Sequence, residues 1–141
     1  MKELTIEAKT DNLEQVLFFV NQYLEECGCS MKAQIQMDVA VEEIFVNIAS
    51  YAYDTDQSGT EKTRTTNIKI EITDDPYSAV VTFVDEGIPY DPLAKEDPDI
   101  SLPASERPIG GLGIYMVKKS MDDVQYAREE GRNVLTIRKN L

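Results

Sequence analysis

Apolar and polar positions alternate over residues 4–8 (LTIEA), the pattern of a strand with one buried face. Asp11 and Asn12 then offer a helix start. Leu13, Val16, Leu17, Val20 and Leu24 recur at helical spacing, and Gly28 stands where a C-terminal stop is expected. Ser30 reads as the cap of a second helix. Over about 31–53 (MKAQIQMDVAVEEIFVNIASYAY) no Gly or Pro interrupts the pattern, which predicts the longest helix of the chain.

Residues 54–65 are polar and turn-rich and predict a solvent loop. Residues 67–73 alternate cleanly, Asp74-Asp75-Pro76 breaks them, and 79–84 are rich in β-branched residues, so the pair predicts a hairpin. Residues 89–109 hold five of the six prolines and a cluster of acids, which predicts a long irregular loop of the functional kind. Gly110 to Gly113 end it. A short helix over 113–121 and a closing hairpin, 123–128 and 133–139 turned at Glu130-Gly131, complete the chain. The order β, α, α, β, β, α, β, β gives about five strands. Hairpin-joined strands cannot supply parallel crossovers, so the helices must share one face: an α+β two-layer sandwich in a single domain, 1–141.

On a helical wheel the long helix places Gln36, Glu43, Asn47 and Ser50 in one polar stripe, with Val39 and Val46 on one side and Ile44 and Tyr51 on the other. Asp38 and Glu42 fall on a different face, where solvent is expected. Glu43 and Asn47, at i and i+4, bring a carboxylate and an amide to one point beside the helix. Such a pair forms either a partly wet helix edge or a site for a magnesium-bound phosphate, with the amide oxygen a hard-cation ligand and the carboxylate a general base. Asp85-Glu86-Gly87 ends a buried strand. It reads as a simple turn, or as a fixed carboxylate that accepts a hydrogen bond from an exocyclic amine such as adenine's. Gly110-Gly111-Leu112-Gly113 leads into a helix whose first amides are unpaired: a plain helix entry, or a phosphate cradle. No Lys-Ser or Lys-Thr follows, so it is not a Walker A loop.

Composition narrows the choice. With 26 acidic and 14 basic side chains the net charge is −12, which makes a nucleic-acid backbone or an anionic membrane a poor partner across a Debye length of about 8 Å. There is no histidine, which removes Ser-His-Asp and Cys-His catalysis and histidine-ligated zinc. Cys27 and Cys29, spaced C-x-C, suit neither a disulfide framework nor a four-ligand metal site and read as reduced thiols. No basic-then-apolar leader opens the sequence and no apolar run approaches a membrane span, so a cytoplasmic location is expected.

In order along the chain, Glu43-x-x-x-Asn47, Asp85-x-Gly87 and Gly111-x-Gly113 resemble the N, G1 and G2 boxes of the GHKL ATP-binding fold shared by gyrase, histidine kinases and MutL. The resemblance covers essentially the whole chain. The phrases EEIFVNIASYAY and GGLGIYMVKKSMDDVQY most resemble the anti-sigma-factor serine kinases of bacterial partner-switching systems. The resemblance implies a Bergerat-type sandwich that binds Mg-ATP, transfers its γ-phosphate to a serine of a small STAS-domain antagonist protein and sequesters a sigma factor or similar regulator. It makes Glu43 the general base and Asn47 the Mg2+ ligand. Asp85 becomes the adenine reader, Gly87 a close-approach glycine, and Gly110, Gly111, Leu112 and Gly113 the phosphate loop. Residues 91–109 become an ATP lid. Arg107, set off from Gly110 by Pro108 and Ile109, is the cation available to the γ-phosphate, and Asn133 stands near where relatives carry a threonine beside the adenine-reading aspartate. A homodimer is compatible with the resemblance. The alternative is a nucleotide-gated partner-binding module with no kinase activity.

Overall fold

The computed structural model describes residues 1–52, 64–94 and 112–141. Its elements are β1 (Lys2–Glu7), α1 (Leu13–Glu26), α2 (Met31–Asn47), β2 (Thr65–Asp74), β3 (Tyr77–Asp85), α3 (Leu112–Ser120), β4 (Asp123–Glu129) and β5 (Arg132–Asn140). The five strands form one antiparallel sheet in the order β1-β2-β3-β5-β4. This is the expected α+β sandwich.

Local chemistry sets the element ends. Gly28 adopts φ +75°, and the amides of Gly28 and Cys29 turn back to Glu25 O and Leu24 O at 3.0 Å each, closing the carbonyl end of α1. Ser30 Oγ accepts from Ala33 N at 3.2 Å and caps α2 as its type predicts. The long helix departs from expectation at its far end. It is α-helical to Asn47 and then widens into a π-type turn, Ile48–Ala52. At the β4–β5 turn, Glu130 (φ 52°) and Gly131 (φ 79°) are both left-handed, the geometry that matches the twist of a tight hairpin. Cys27 and Cys29 are unbridged.

The strand registers align the inward side chains into rows that cross the sheet. Lys2, Ile70, Val81, Ile137 and Val124 form one row, and Leu4, Ile68, Phe83, Leu135 and Tyr126 the next. Onto these rows pack Val16, Val20 and Leu24 of α1, Met37, Val41, Ile44 and Phe45 of α2, and Val117 of α3. Each such fully buried apolar side chain contributes about 1.5–3 kcal/mol. A third row, Ile6, Thr66, Asp85, Asn133 and Arg128, continues the same inward face. There the apolar pattern stops.

Two expectations for α2 need correction. Asp38, assigned to solvent, is half-buried: Asn21 of α1 hydrogen-bonds its carboxyl, and Oδ1 is buried with no partner among the described residues. The cause is the α1–α2 pairing, which covers a wheel position that an isolated helix leaves open. Val39, expected as an apolar flank of the polar stripe, is instead 44% exposed on the outer side of α2.

Candidate functional site

The polar row lies where the C-terminal end of α2 and α3 approach the sheet. Asp85 occupies the position that the alternation Ala79, Val81, Phe83 reserves for a core side chain, and it is only 5% exposed. A buried carboxylate costs several kcal/mol unless its charge is met. Gly87 N donates to Asp85 Oδ1 at 2.9 Å, and Asn133 Nδ2 donates to the same oxygen at 3.0 Å. Burial pushes the Asp85 carboxyl above its usual range, while the Asn133 and Gly87 hydrogen bonds and the Arg128 charge pull it back. Among the described residues both of its hydrogen bonds fall on Oδ1. None of the hydrogen bonds among the described residues falls on Oδ2.

Asn133, also 5% exposed, organises the surroundings of Asp85. Its Nδ2 donates to Ile88 O at 2.8 Å as well as to Asp85. Its Oδ1 accepts from Tyr126 OH at 2.5 Å, Arg128 Nη1 at 3.2 Å and, at 3.4 Å, Tyr90 N. Arg128 Nη1 also donates to Gly87 O at 2.8 Å. The turn after β3 is thus tied at Gly87, Ile88 and Tyr90 to the far hairpin.

Glu43 and Asn47 project from α2 toward the same region. Asn47, with Ile44 and Ile48, lines a cleft shared with Asp85, Asn133 and Ile114. The Glu43 carboxylate lies against Gly113 in the first turn of α3, where a Cβ on residue 113 would come within 2.6 Å of Glu43 Cδ and closer still to Oε2. Only glycine permits that approach. Leu112 opens α3, so its amide belongs to the first turn, whose N–H groups have no helical partner. Arg107, Gly110 and Gly111 lie outside the described residues, as does most of the 91–109 segment, of which Pro92–Ala94 form a single helical turn.

The structure therefore brings Glu43, Asn47, Asp85, Gly87, Gly113 and Asn133 to one end of the sandwich. Arg128 and Tyr126 escaped the sequence reading, because an arginine and a tyrosine near a predicted hairpin carry no motif. Their signal is register: Arg128 is the β4 partner of Asn133.

A buried carboxylate and an amide side chain thus line one cleft, and Ile114 in the first turn of α3 lines it too. Residues 6–139 match the family model described as histidine kinase-like ATPase domain. The chain belongs to this family. Within the histidine kinase-like ATPases, it is 28% identical over 137 residues to the serine-protein kinase RsbW of Bacillus cereus strain AH187, covering 94% of this chain and 81% of that protein. It is 27% identical over 139 residues, with the same coverage, to the serine-protein kinase RsbW of Bacillus anthracis strain CDC 684. The five-stranded antiparallel sheet with three α-helices is the GHKL-type ATPase architecture. Among the described residues, no helix is long and apolar enough to cross a membrane.

Proposed function

We propose that this protein binds Mg-ATP and transfers the γ-phosphate to a serine of a small STAS-domain antagonist, and that it sequesters a sigma factor or similar regulator in alternation. The observation that carries the reading is Asp85, an otherwise costly carboxylate buried in the lining of the cleft, whose hydrogen bonds among the described residues both fall on Oδ1. That expense is offset when the carboxylate accepts the exocyclic amine of adenine. The family match and the kinase relatives support ATP as the nucleotide.

The residues fit the triphosphate and its cation. Asn47 offers one hard oxygen donor, the number suited to Mg2+, which takes one or two protein ligands and completes its shell with phosphates and water. When bound there, the ion would supply neutralisation of phosphate charge. The open start of α3 at Leu112 and Gly113 presents backbone amides to the phosphates, with Gly110 and Gly111 as the preceding part of that loop. Gly87 lets the backbone come close to the base.

In this reading Glu43, which lies against Gly113, is the general base for the incoming hydroxyl. In the proposed step the serine Oγ attacks Pγ, the bond from Pγ to the β,γ-bridging oxygen breaks, and ADP leaves with that electron pair. Glu43 accepts the hydroxyl proton. Arg107 is the cation we assign to the γ-phosphate during transfer. The site is assumed to work in the cytoplasm, with the chain alone or as a homodimer.

The test is incubation with γ-labelled ATP and a STAS-domain protein encoded beside this chain. Label on one serine of the partner, lost in the Ser→Ala partner and in Arg107→Ala of this chain, is the expected result. ATP binding without transfer to any such partner overturns the kinase reading in favour of a nucleotide-gated binding module.

A further inference from the structure

Asn133 has no hydrogen-bonding capacity left for a ligand. Both amide hydrogens are used, on Asp85 Oδ1 and Ile88 O, and Oδ1 receives three donors. Its part in the site is therefore indirect. The orientation of that amide matters, because a flipped side chain would turn an oxygen toward the Asp85 carboxylate and repel it. The flip is opposed from the other side. Tyr126 OH can either donate or accept, so it tolerates both orientations, whereas a guanidinium can only donate. Among the described residues, Arg128 is thus the one side-chain partner of Asn133 Oδ1 that rejects an amide nitrogen in its place.

Arg128 also holds the loop. Through the same Nη1 it donates to Gly87 O, and Gly87 N is the second donor to Asp85 Oδ1. Among the described residues, both hydrogen bonds that orient the buried carboxylate therefore depend on one exposed guanidinium of the edge strand β4. Resting on the ATP reading above, we infer that Arg128 is a positioning residue for base recognition. It orients Asp85 through Asn133 and through the Gly87 peptide, and so sets the preference for a base with a 6-amino group. The arrangement runs entirely through protein groups.

Two nucleotides separate this role from a merely structural one. ATP carries the 6-amine that Asp85 would accept, and inosine triphosphate carries a 6-oxo group there. A site built to accept an N–H discriminates strongly against a ligand that lacks it. Affinities of the wild-type chain, Arg128→Ala and Arg128→Lys for both nucleotides are measured by calorimetry, with melting curves to establish that each variant is folded. Wild type is expected to prefer ATP. In Arg128→Ala the ATP affinity falls about tenfold while that for inosine triphosphate changes little, consistent with loss of a hydrogen bond to a charged group. Lysine, which keeps a cationic donor, restores part of the preference.

An equal loss for both nucleotides in Arg128→Ala, or no change in either, overturns the role of Arg128 and leaves the ATP reading intact. Failure of the wild-type chain to bind ATP overturns that reading and this inference together.

Discussion

The Glu43 carboxylate of α2 rests directly against the α-carbon of Gly113 in the first turn of α3, an approach that any side chain at 113 would block. This contact joins the residue proposed as the base to the loop proposed for the phosphates. It also separates two effects that usually travel together, because the atom a Cβ would strike is the end of a flexible side chain and not backbone.

Gly113→Ala should therefore fold. Alanine in a helical turn gains up to about 1 kcal/mol over glycine, which offsets part of the cost of moving Glu43. The melting temperature should stay within about 4 °C of wild type. Phosphoryl transfer should fall on the order of 100-fold, because the carboxylate is displaced. Calorimetric melting together with a transfer assay reads both. A fall of the two in parallel would show that Gly113 serves only packing.

Glu43→Gln keeps the size of the side chain and removes its capacity to take a proton. ATP affinity should be nearly unchanged, and the transfer rate should drop by about 100-fold to 10,000-fold. Single-turnover transfer beside equilibrium binding checks the split. A variant that transfers at the wild-type rate would remove Glu43 from the chemistry.

Asp38 gives a pH signature unrelated to the site. Burial raises its carboxyl above the usual value of about 3.9, the Glu42 charge adds to this, and Asn21 opposes it. A carboxyl with a raised folded-state value contributes stability that is full below the unfolded value and is lost as pH rises through the folded one. Asp38→Asn removes that loss. Its melting temperature should exceed wild type at pH 7, with the gap closing as pH is lowered toward 4. A gap independent of pH would contradict the assignment.

Packing makes the sharpest contrast in stability. Phe45 is fully buried between α2 and the sheet, and Phe45→Ala should cost about 3–5 kcal/mol in urea denaturation. Ile35, on the same helix but 55% exposed, should cost within about 0.5 kcal/mol on the same change. Similar costs for the two would mean that the outer face of α2 is covered.

Most of the architecture was legible in the sequence because it rests on local signals. The Ser30 cap, the Gly28 stop, the Glu130-Gly131 turn and the period-2 strands each follow from residue chemistry over a few positions, and each stands where expected. The gathering of Glu43, Asn47, Asp85 and Gly113 was legible only through the ordered resemblance, since no local rule brings α2 to α3. The burial of Asp38, the exposure of Val39 and the partnership of Arg128 with Asn133 were not legible. They depend on which helix covers which face and which strands pair, and both are tertiary choices. The inward alternation along β3 and β5 did reserve positions 85 and 133 for core side chains, and finding polar residues there was the available signal for the polar row.

The central claim is that Asp85 and Asn47 form one nucleotide site. Calorimetric titration of the purified protein with ATP, with and without magnesium, beside Asp85→Asn and Asn47→Ala, tests it most directly. The account predicts magnesium-dependent binding in wild type that is lost in both folded variants. Absence of heat and of thermal stabilisation at millimolar ATP in the wild-type chain, or binding that survives Asp85→Asn unchanged, would contradict it.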